Sequence, residues 1–215
     1  MVPEYDLITW KRSMLPFAFI AIAGSLFSKV DVLMLGFLKN PASVGIYASA
    51  DKIAGYLTVF ISIMTQISSP AVARLNALDE KAKLQKALTK SIRWIFLCSA
   101  FFYLMVVIFS KSIMLYFGPG FLGGQYALII IATGQLISIA FGPVGMISVM
   151  TGNERLTAIF MSVSIILNIT LNFILVPLYG INGTAISTTL VLIFWNLSMF
   201  ILVKKKTGIR TWILG

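Results

Sequence analysis

Apolar residues run almost unbroken from Met14 to Phe37 and again from Val44 to Ser69. The short connector Leu38-Lys39-Asn40-Pro41-Ala42-Ser43 lies between them. Each run reaches the roughly 20 residues that cross a bilayer as a helix. Pro16 falls in the first turn of the first helix, where a missing N–H costs least, and Pro70 marks the end of the second. From residue 70 to residue 93 the pattern changes. Leu75, Leu78, Ala82, Leu88 and Ile92 recur at helical spacing, while Asp79, Glu80, Lys81, Lys83, Lys86, Lys90 and Arg93 take the other positions. That alternation predicts an amphipathic helix lying in the interface or docked on the cytoplasmic side. Its lysines also suit anionic lipid, and equally a solvated face.

A third membrane helix follows from Trp94 to Phe109, with room to continue past Lys111 to Phe117. The Gly118-Pro119-Gly120-Phe121-Leu122-Gly123-Gly124 turn is the sharpest break in the chain. Then come Gln125–Met150, which Pro143 between Gly142 and Gly145 should kink, Leu156–Leu175, stopped by Pro177 and Gly180, and Gly183–Val203. The organisation read from the pattern is a lead over 1–13, a membrane hairpin over 14–69, the amphipathic segment over 70–93, four more membrane helices over 94–203, and a basic tail over 204–215. This is an all-α integral membrane bundle of six transmembrane helices.

Composition sharpens the class. The chain of 215 residues is 59% hydrophobic and 11% charged, and its mean hydropathy is +0.95. A soluble domain carries about 25% charged residues. The net charge of +10 would suggest nucleic acid in a soluble protein. Here the basic residues cluster at the ends of apolar runs, where topology accounts for them and no nucleic-acid partner is needed. Thirteen of the 17 fall on one side: Lys11, Arg12, Arg74, Lys81, Lys83, Lys86, Lys90, Arg93, Arg155, Lys204, Lys205, Lys206 and Arg210. Lys39 and Lys111 fall on the other. The positive-inside rule therefore expects both termini in the cytoplasm. The first run is too long for a signal-peptide core and more membrane segments follow it, so no cleavable signal and no extramembrane domain are expected.

Histidine is absent, which removes the commonest general base and metal ligand. The single cysteine, Cys98, reads as a small buried hydrophobe. There is no cysteine pair, no carboxylate cluster and no phosphate-binding Gly-Lys-Ser/Thr motif. No enzyme, cofactor or metal centre is indicated.

The candidate chemistry lies in the charges within the first hairpin: Lys29, Asp31, Asp51 and Lys52. Charge at membrane depth is costly and tends to be functional. Counting rise per residue from each helix start puts Lys29 and Asp31 roughly 22–26 Å along the first helix, and Asp51 and Lys52 roughly 11–12 Å along the second. Both pairs then fall in the outer third of the bilayer. In an antiparallel hairpin Lys29 comes opposite Asp51 and Asp31 opposite Lys52. They can form two neutralising salt bridges, or they can line a wet cavity with cationic residues for an anionic substrate. Helix Leu156–Leu175 adds a polar stripe at Ser164, Asn168 and Asn172, and its neighbours add Gln135, Ser138, Thr184, Thr188 and Asn196. These serve as interhelical hydrogen bonds or as cavity lining.

Two stretches carry a resemblance. Lys29-Val-Asp31-Val-Leu-Met-Leu-Gly36 followed by Val44-Gly45-Ile-Tyr47-Ala48-Ser-Ala50 resembles the start of the second half of polysaccharide-biosynthesis flippases. Thr151-Gly152, Leu167-Asn168-Ile-Thr-Leu-Asn172 and Val176-Pro177-Leu-Tyr179-Gly180-Ile-Asn-Gly183-Thr-Ala185 resemble a later segment of the same proteins. They belong to the multidrug/oligosaccharidyl-lipid/polysaccharide exporter superfamily. The resemblance implies one half of a pseudo-symmetric two-bundle transporter in a bacterial or archaeal inner membrane. Such a transporter turns a lipid-linked oligosaccharide between leaflets by alternating access. A pyrophosphate-linked substrate would give Lys29 and Lys52 a role. The substrate-cavity candidates are Lys29, Asp31, Asp51, Lys52, Gln135, Asn168 and Asn172.

A single bundle lacks the second wall of such a cavity. The expected partners are therefore membrane lipid, the lipid-linked oligosaccharide, and a missing N-terminal six-helix half or a second copy. The sequence reads as a fragment of a longer protein, ahead of a split gene or a dimerising half-transporter. A cation-coupled multidrug exporter using Asp31 and Asp51, or an inactive or scaffold membrane fragment, are the alternatives.

Overall fold

The computed structural model describes residues 18–27, 29–78 and 80–213. The expected lead over 1–13 and the first residues of the first helix, Met14–Phe17, lie outside them. Nine α-helices are described: α1 (Ala18–Phe27), α2 (Val30–Leu38), α3 (Pro41–Gly55), α4 (Val59–Ala77), α5 (Lys81–Tyr116), α6 (Gln125–Phe141), α7 (Val144–Met150), α8 (Glu154–Tyr179) and α9 (Ile181–Thr207). Single 3₁₀ segments, Tyr56–Thr58 and Pro119–Gly124, join α3 to α4 and precede α6. Five helical stretches are long and apolar enough to cross a membrane, and α1 with α2 makes a sixth. The six-helix all-α membrane bundle read from the pattern is therefore the observed fold.

The breaks differ from the expected ones. The first span bends by 43° between α1 and α2, where Lys29 N–H turns back to the Leu26 carbonyl at 2.8 Å. The second span does not stop at Pro70: α4 continues to Ala77. A proline inside a helix removes one hydrogen bond and costs about 3 kcal/mol. Here the following turn has packing to offset it, since Val72 is buried against Leu84, Leu88 and Ile92 of α5.

The amphipathic segment over 70–93 is consequently not a helix of its own. Its first part is the end of α4, and its second is the beginning of the 36-residue α5. Leu84, Leu88 and Ile92 form the buried face at strict i, i+4, i+8 spacing. Leu78, in the expected face, is exposed at the break instead, and Ala82 is exposed too. Cys98, expected buried, is exposed on the outside of α5.

The expected kink at Pro143 is a full break. Gly142 takes φ +70°, closed to most L side chains, and separates α6 from α7. Pro177 does not end α8, which runs to Tyr179. Gly180, at φ +57°, makes the turn. The tail lysines Lys204, Lys205 and Lys206 form the last turn of α9 rather than following it, where cations complement the helix dipole.

Helix α9 is the spine of the bundle, packing along α6 and α8 with additional contacts to α7, α3 and α2. Small residues allow the approach. A Cβ on Gly134 of α6 would meet Thr189 of α9 at 2.8 Å. One on Gly183 would lie 2.1 Å from the Leu175 carbonyl oxygen, which is backbone and cannot rotate away. Gly183→Ala should therefore lower the thermal stability of the detergent-solubilised protein by about 3 kcal/mol or more, the upper end for overpacking. Gly45→Ala, whose Cβ meets nothing within 4 Å, should be neutral or stabilising by up to about 1 kcal/mol. Thermal unfolding followed by circular dichroism checks both.

Candidate functional site

The bend between α1 and α2 creates a fresh helix start inside the bundle, and Asp31 occupies its first turn. A carboxylate there meets the positive end of the helix dipole and free backbone N–H groups. Its side chain is nearly fully buried, at 7% exposure. Asn168 of α8 donates from Nδ2 to Asp31 Oδ1 at 2.7 Å, and Tyr47 of α3 donates from its hydroxyl to Oδ2 at 3.3 Å.

Each partner is itself held. Asn172 Nδ2 donates to Asn168 Oδ1 at 2.7 Å, and the Tyr47 hydroxyl lies 2.9 Å from Thr188 Oγ1 of α9. Tyr47 and Thr188 have one hydroxyl proton each; when Tyr47 donates to Asp31, the Thr188 proton is shared between the Tyr47 hydroxyl and the Thr184 carbonyl 2.9 Å away. The resulting relay Thr188–Tyr47–Asp31–Asn168–Asn172 ties four helices together. It ends on Asn172 Oδ1, which is buried and has no partner.

Beside this relay lies a cavity of about 310 Å³. Asp31, Asp51, Lys52, Gln135, Asn168 and Thr188 supply its polar lining, and Phe27, Gly55 and Leu192 its apolar wall. Asp51 is half-buried and Lys52 exposed. Gly55 leads directly into the 3₁₀ turn Tyr56–Thr58, a mid-span tightening of the kind that marks hinges.

A second cavity of about 410 Å³ surrounds the α6–α7 break and presents Ser62, Thr65, Gln66, Trp195 and Asn196. Phe27 of the first cavity and Trp195 of the second stand 6.4 Å apart between ring centroids. An aromatic pair thus forms the partition between two polar chambers on one face of α9.

The seven sequence candidates separate cleanly. Asp31, Asp51, Lys52, Gln135 and Asn168 converge on the first cavity. Asn172 stands one turn behind Asn168 and orients it. Lys29 sits at the α1–α2 break with its side chain exposed, away from the cavity lining.

Of the two arrangements open to the hairpin charges, the salt bridges Lys29–Asp51 and Asp31–Lys52 do not form, and Asp31, Asp51 and Lys52 line a cavity. Among the described residues the ion pair present is Lys83 with Glu80, at 2.9 Å on the surface. The physical reason is that Asp31 faces α8 and α3 through neutral donors. A hydrogen-bonded carboxylate of this kind needs no buried counter-ion. The cavity lining thus supplies two carboxyl groups and the Lys52 ammonium, and the Lys29 ammonium acts on Asp51 from outside the lining.

Tyr47 was missed as a site residue. It lies one turn before Asp51 on α3, and that i, i+4 spacing was the available signal. Thr188, read as an interhelical hydrogen bond or a cavity lining, does both.

The arrangement has relatives. A MatE family model matches residues 16–174. Two curated proteins of Haloferax volcanii are similar. The probable low-salt glycan biosynthesis flippase Agl15 is 28% identical over 173 residues, covering 79% of this chain and 36% of that protein. The probable flippase AglR is 22% identical over 171 residues, covering 76% of this chain and 35% of that protein. The chain thus spans about a third of the length of the curated relatives it matches. A MOP superfamily transporter from Pyrococcus furiosus superposes with a TM-score of 0.69 at 18% identity, over 91% of this chain and 45% of that one. With nearly three-quarters of its residues matched by the family model, this six-helix chain belongs to the MatE family.

Proposed function

We propose that this bundle is the C-terminal half of a membrane flippase that carries a lipid-linked oligosaccharide between leaflets, with both termini in the cytoplasm. The observation that carries the reading is the first cavity. An apolar membrane bundle keeps a polar-lined pocket in which carboxyl groups, amides, a hydroxyl and an ammonium converge. Such a set hydrogen-bonds sugar hydroxyls from both sides, donating through Gln135 and Lys52 and accepting at Asp31 and Asp51. The names of both Haloferax relatives support flipping, and that of Agl15, a probable glycan biosynthesis flippase, supports a glycan substrate.

The mechanism follows from the geometry. The Asp31 relay holds α2, α3, α8 and α9 as one rigid wall. The α1–α2 bend, the 3₁₀ turn after Gly55 and the Gly142–Pro143 break supply the joints. A second bundle closes the cavity from the other side, and rocking of one against the other exposes it to each leaflet in turn. That second bundle is a preceding six-helix half or a second copy. The glycan enters the polar chambers while its lipid tail stays in the bilayer beside the bundle.

A second reading has its own support. Asp31 and Asp51 both line the cavity, and two carboxyl groups in one membrane pocket suit a cation-coupled exporter. Reconstitution with the partner half in vesicles separates the two. Flipping of a lipid-linked oligosaccharide carries the first reading. Cation-driven drug efflux without glycan flipping replaces it with the second.

Within the first reading, Asp31→Ala should lower the flipping rate at least tenfold, as it removes one cavity group and releases Asn168 and Tyr47 (a loss of about 1.4 kcal/mol or more). Tyr47→Phe should cost less, about 1 kcal/mol, because Asp31 keeps its Asn168 bond. Lys52→Ala, in the cavity lining, should slow flipping more than Lys29→Ala, whose ammonium acts on Asp51 from outside the lining. Equal loss in both lysine variants would contradict the placement of the site.

A further inference from the structure

The first four turns of α5 carry a groove that the transport reading does not use. It encloses about 600 Å³ and is lined by Gln85, Lys86, Thr89, Lys90, Arg93 and Trp94, with Ala82 at its end. Lys86, Lys90 and Trp94 stand at i, i+4 and i+8, one above another on a single helix face. All three are exposed, and among the described residues neither lysine has an acidic partner.

Two of its lining residues, Gln85 and Arg93, are tied to the chain's own C-terminal segment. Gln85 accepts from the Arg210 N–H at 2.7 Å and donates to the Arg210 carbonyl at 2.6 Å. Arg93 Nε donates to the Ile213 carbonyl at 3.0 Å. Ile209 is buried, and Trp212 stacks edge-on against Phe141 at 4.5 Å. The groove is thus a fixed feature held by a docked strap.

Its surroundings say what fits it. At 1.5 Å per residue α5 is about 54 Å long, whereas the hydrocarbon core is about 30 Å. Its first turns therefore stand outside that core. Trp94, 63% exposed, sits where the charges end, and tryptophan favours the headgroup boundary. Beyond it Leu97, Phe101, Leu104 and Ile108 continue the exposed face as an apolar ladder. Cations, then an interfacial aromatic, then an apolar track repeat the order of a phospholipid's own parts.

We propose that this groove seats one anionic membrane phospholipid. Its phosphate meets Lys86, Lys90 and the free Nη donors of Arg93, with the Thr89 hydroxyl beside them, and its acyl chain lies along the Leu97–Ile108 face. Charge-assisted donors of this kind bind phosphate strongly, and the apolar ladder selects a lipid over a soluble anion. The site is independent of what the central cavity transports. It would bind the strap, and through it α9, to the lipid composition of one leaflet.

Native mass spectrometry of the delipidated protein, titrated with phosphatidylglycerol or phosphatidylcholine, tests this. Phosphatidylglycerol should bind more tightly, and the Lys86→Gln/Lys90→Gln variant should lose roughly fivefold in affinity per charge removed. The Lys204→Gln/Lys205→Gln/Lys206→Gln variant removes more charge from the same end of the bundle. It should keep phosphatidylglycerol affinity within about twofold of wild type, far from the groove variant's loss. Equal binding of the two lipids, equal loss in the two variants, or displacement of the lipid by inorganic phosphate at matched concentration would each overturn the proposal.

Discussion

A carboxylate buried in a membrane bundle must be satisfied from within the protein, and Asp31 sets that requirement here. Removing an ion from water costs several kcal/mol even after relaxation, so its surroundings are constrained more tightly than those of any leucine in the core. The fold meets the requirement with three devices. The first span breaks at Lys29 so that Asp31 sits at a helix N-terminus. Asn168 and Tyr47 donate to its two oxygens. Asn172 and Thr188 hold those donors in turn. Four helices are joined by one polar chain, and the cavity lies where that chain meets Asp51, Lys52 and Gln135.

The same constraint explains which irregularities matter. Pro70 and Pro177 lie inside continuous helices because the packing around them absorbs a lost hydrogen bond. The α1–α2 bend interrupts its span, whereas the Gly142–Pro143 break follows the end of one, and both border polar chambers. Irregular backbone at membrane depth is tolerated where it is covered by protein or lines a water-filled space. The α1–α2 bend beside the Asp31 cavity fits that rule, while the prolines alone mark no cavity.

Much of this was legible in the sequence, and the exceptions have identifiable causes. Six spans followed from run length and from the glycine-rich turn at Gly118–Gly124. The candidates Asp31, Asp51, Lys52, Gln135 and Asn168 followed from the rarity of polar groups at membrane depth, and they do meet. The partner of Asp31 was misread because hairpin arithmetic supplies depth but not facing. Asp31 and Lys52 share a depth, yet α2 turns Asp31 toward α8. Tyr47 was passed over because a tyrosine in an apolar run reads as core; its i, i+4 spacing to Asp51 hinted at the site, but the fold is what brings its hydroxyl to Asp31. The helix stop at Pro70 failed because a local rule met long-range packing, that of Val72 on Leu84 and Leu88.

The central claim is that the Asp31 cavity is wet and receives the polar part of the cargo. Cys98 is the single cysteine of this chain, so its replacement by serine, together with that of any cysteine in the partner half, gives a clean background for Gln135→Cys in the assembled transporter. The account predicts that a membrane-impermeant maleimide labels position 135 and that a lipid-linked oligosaccharide slows the labelling. A position that stays unreactive, or one that reacts at the same rate with and without that lipid, would contradict it.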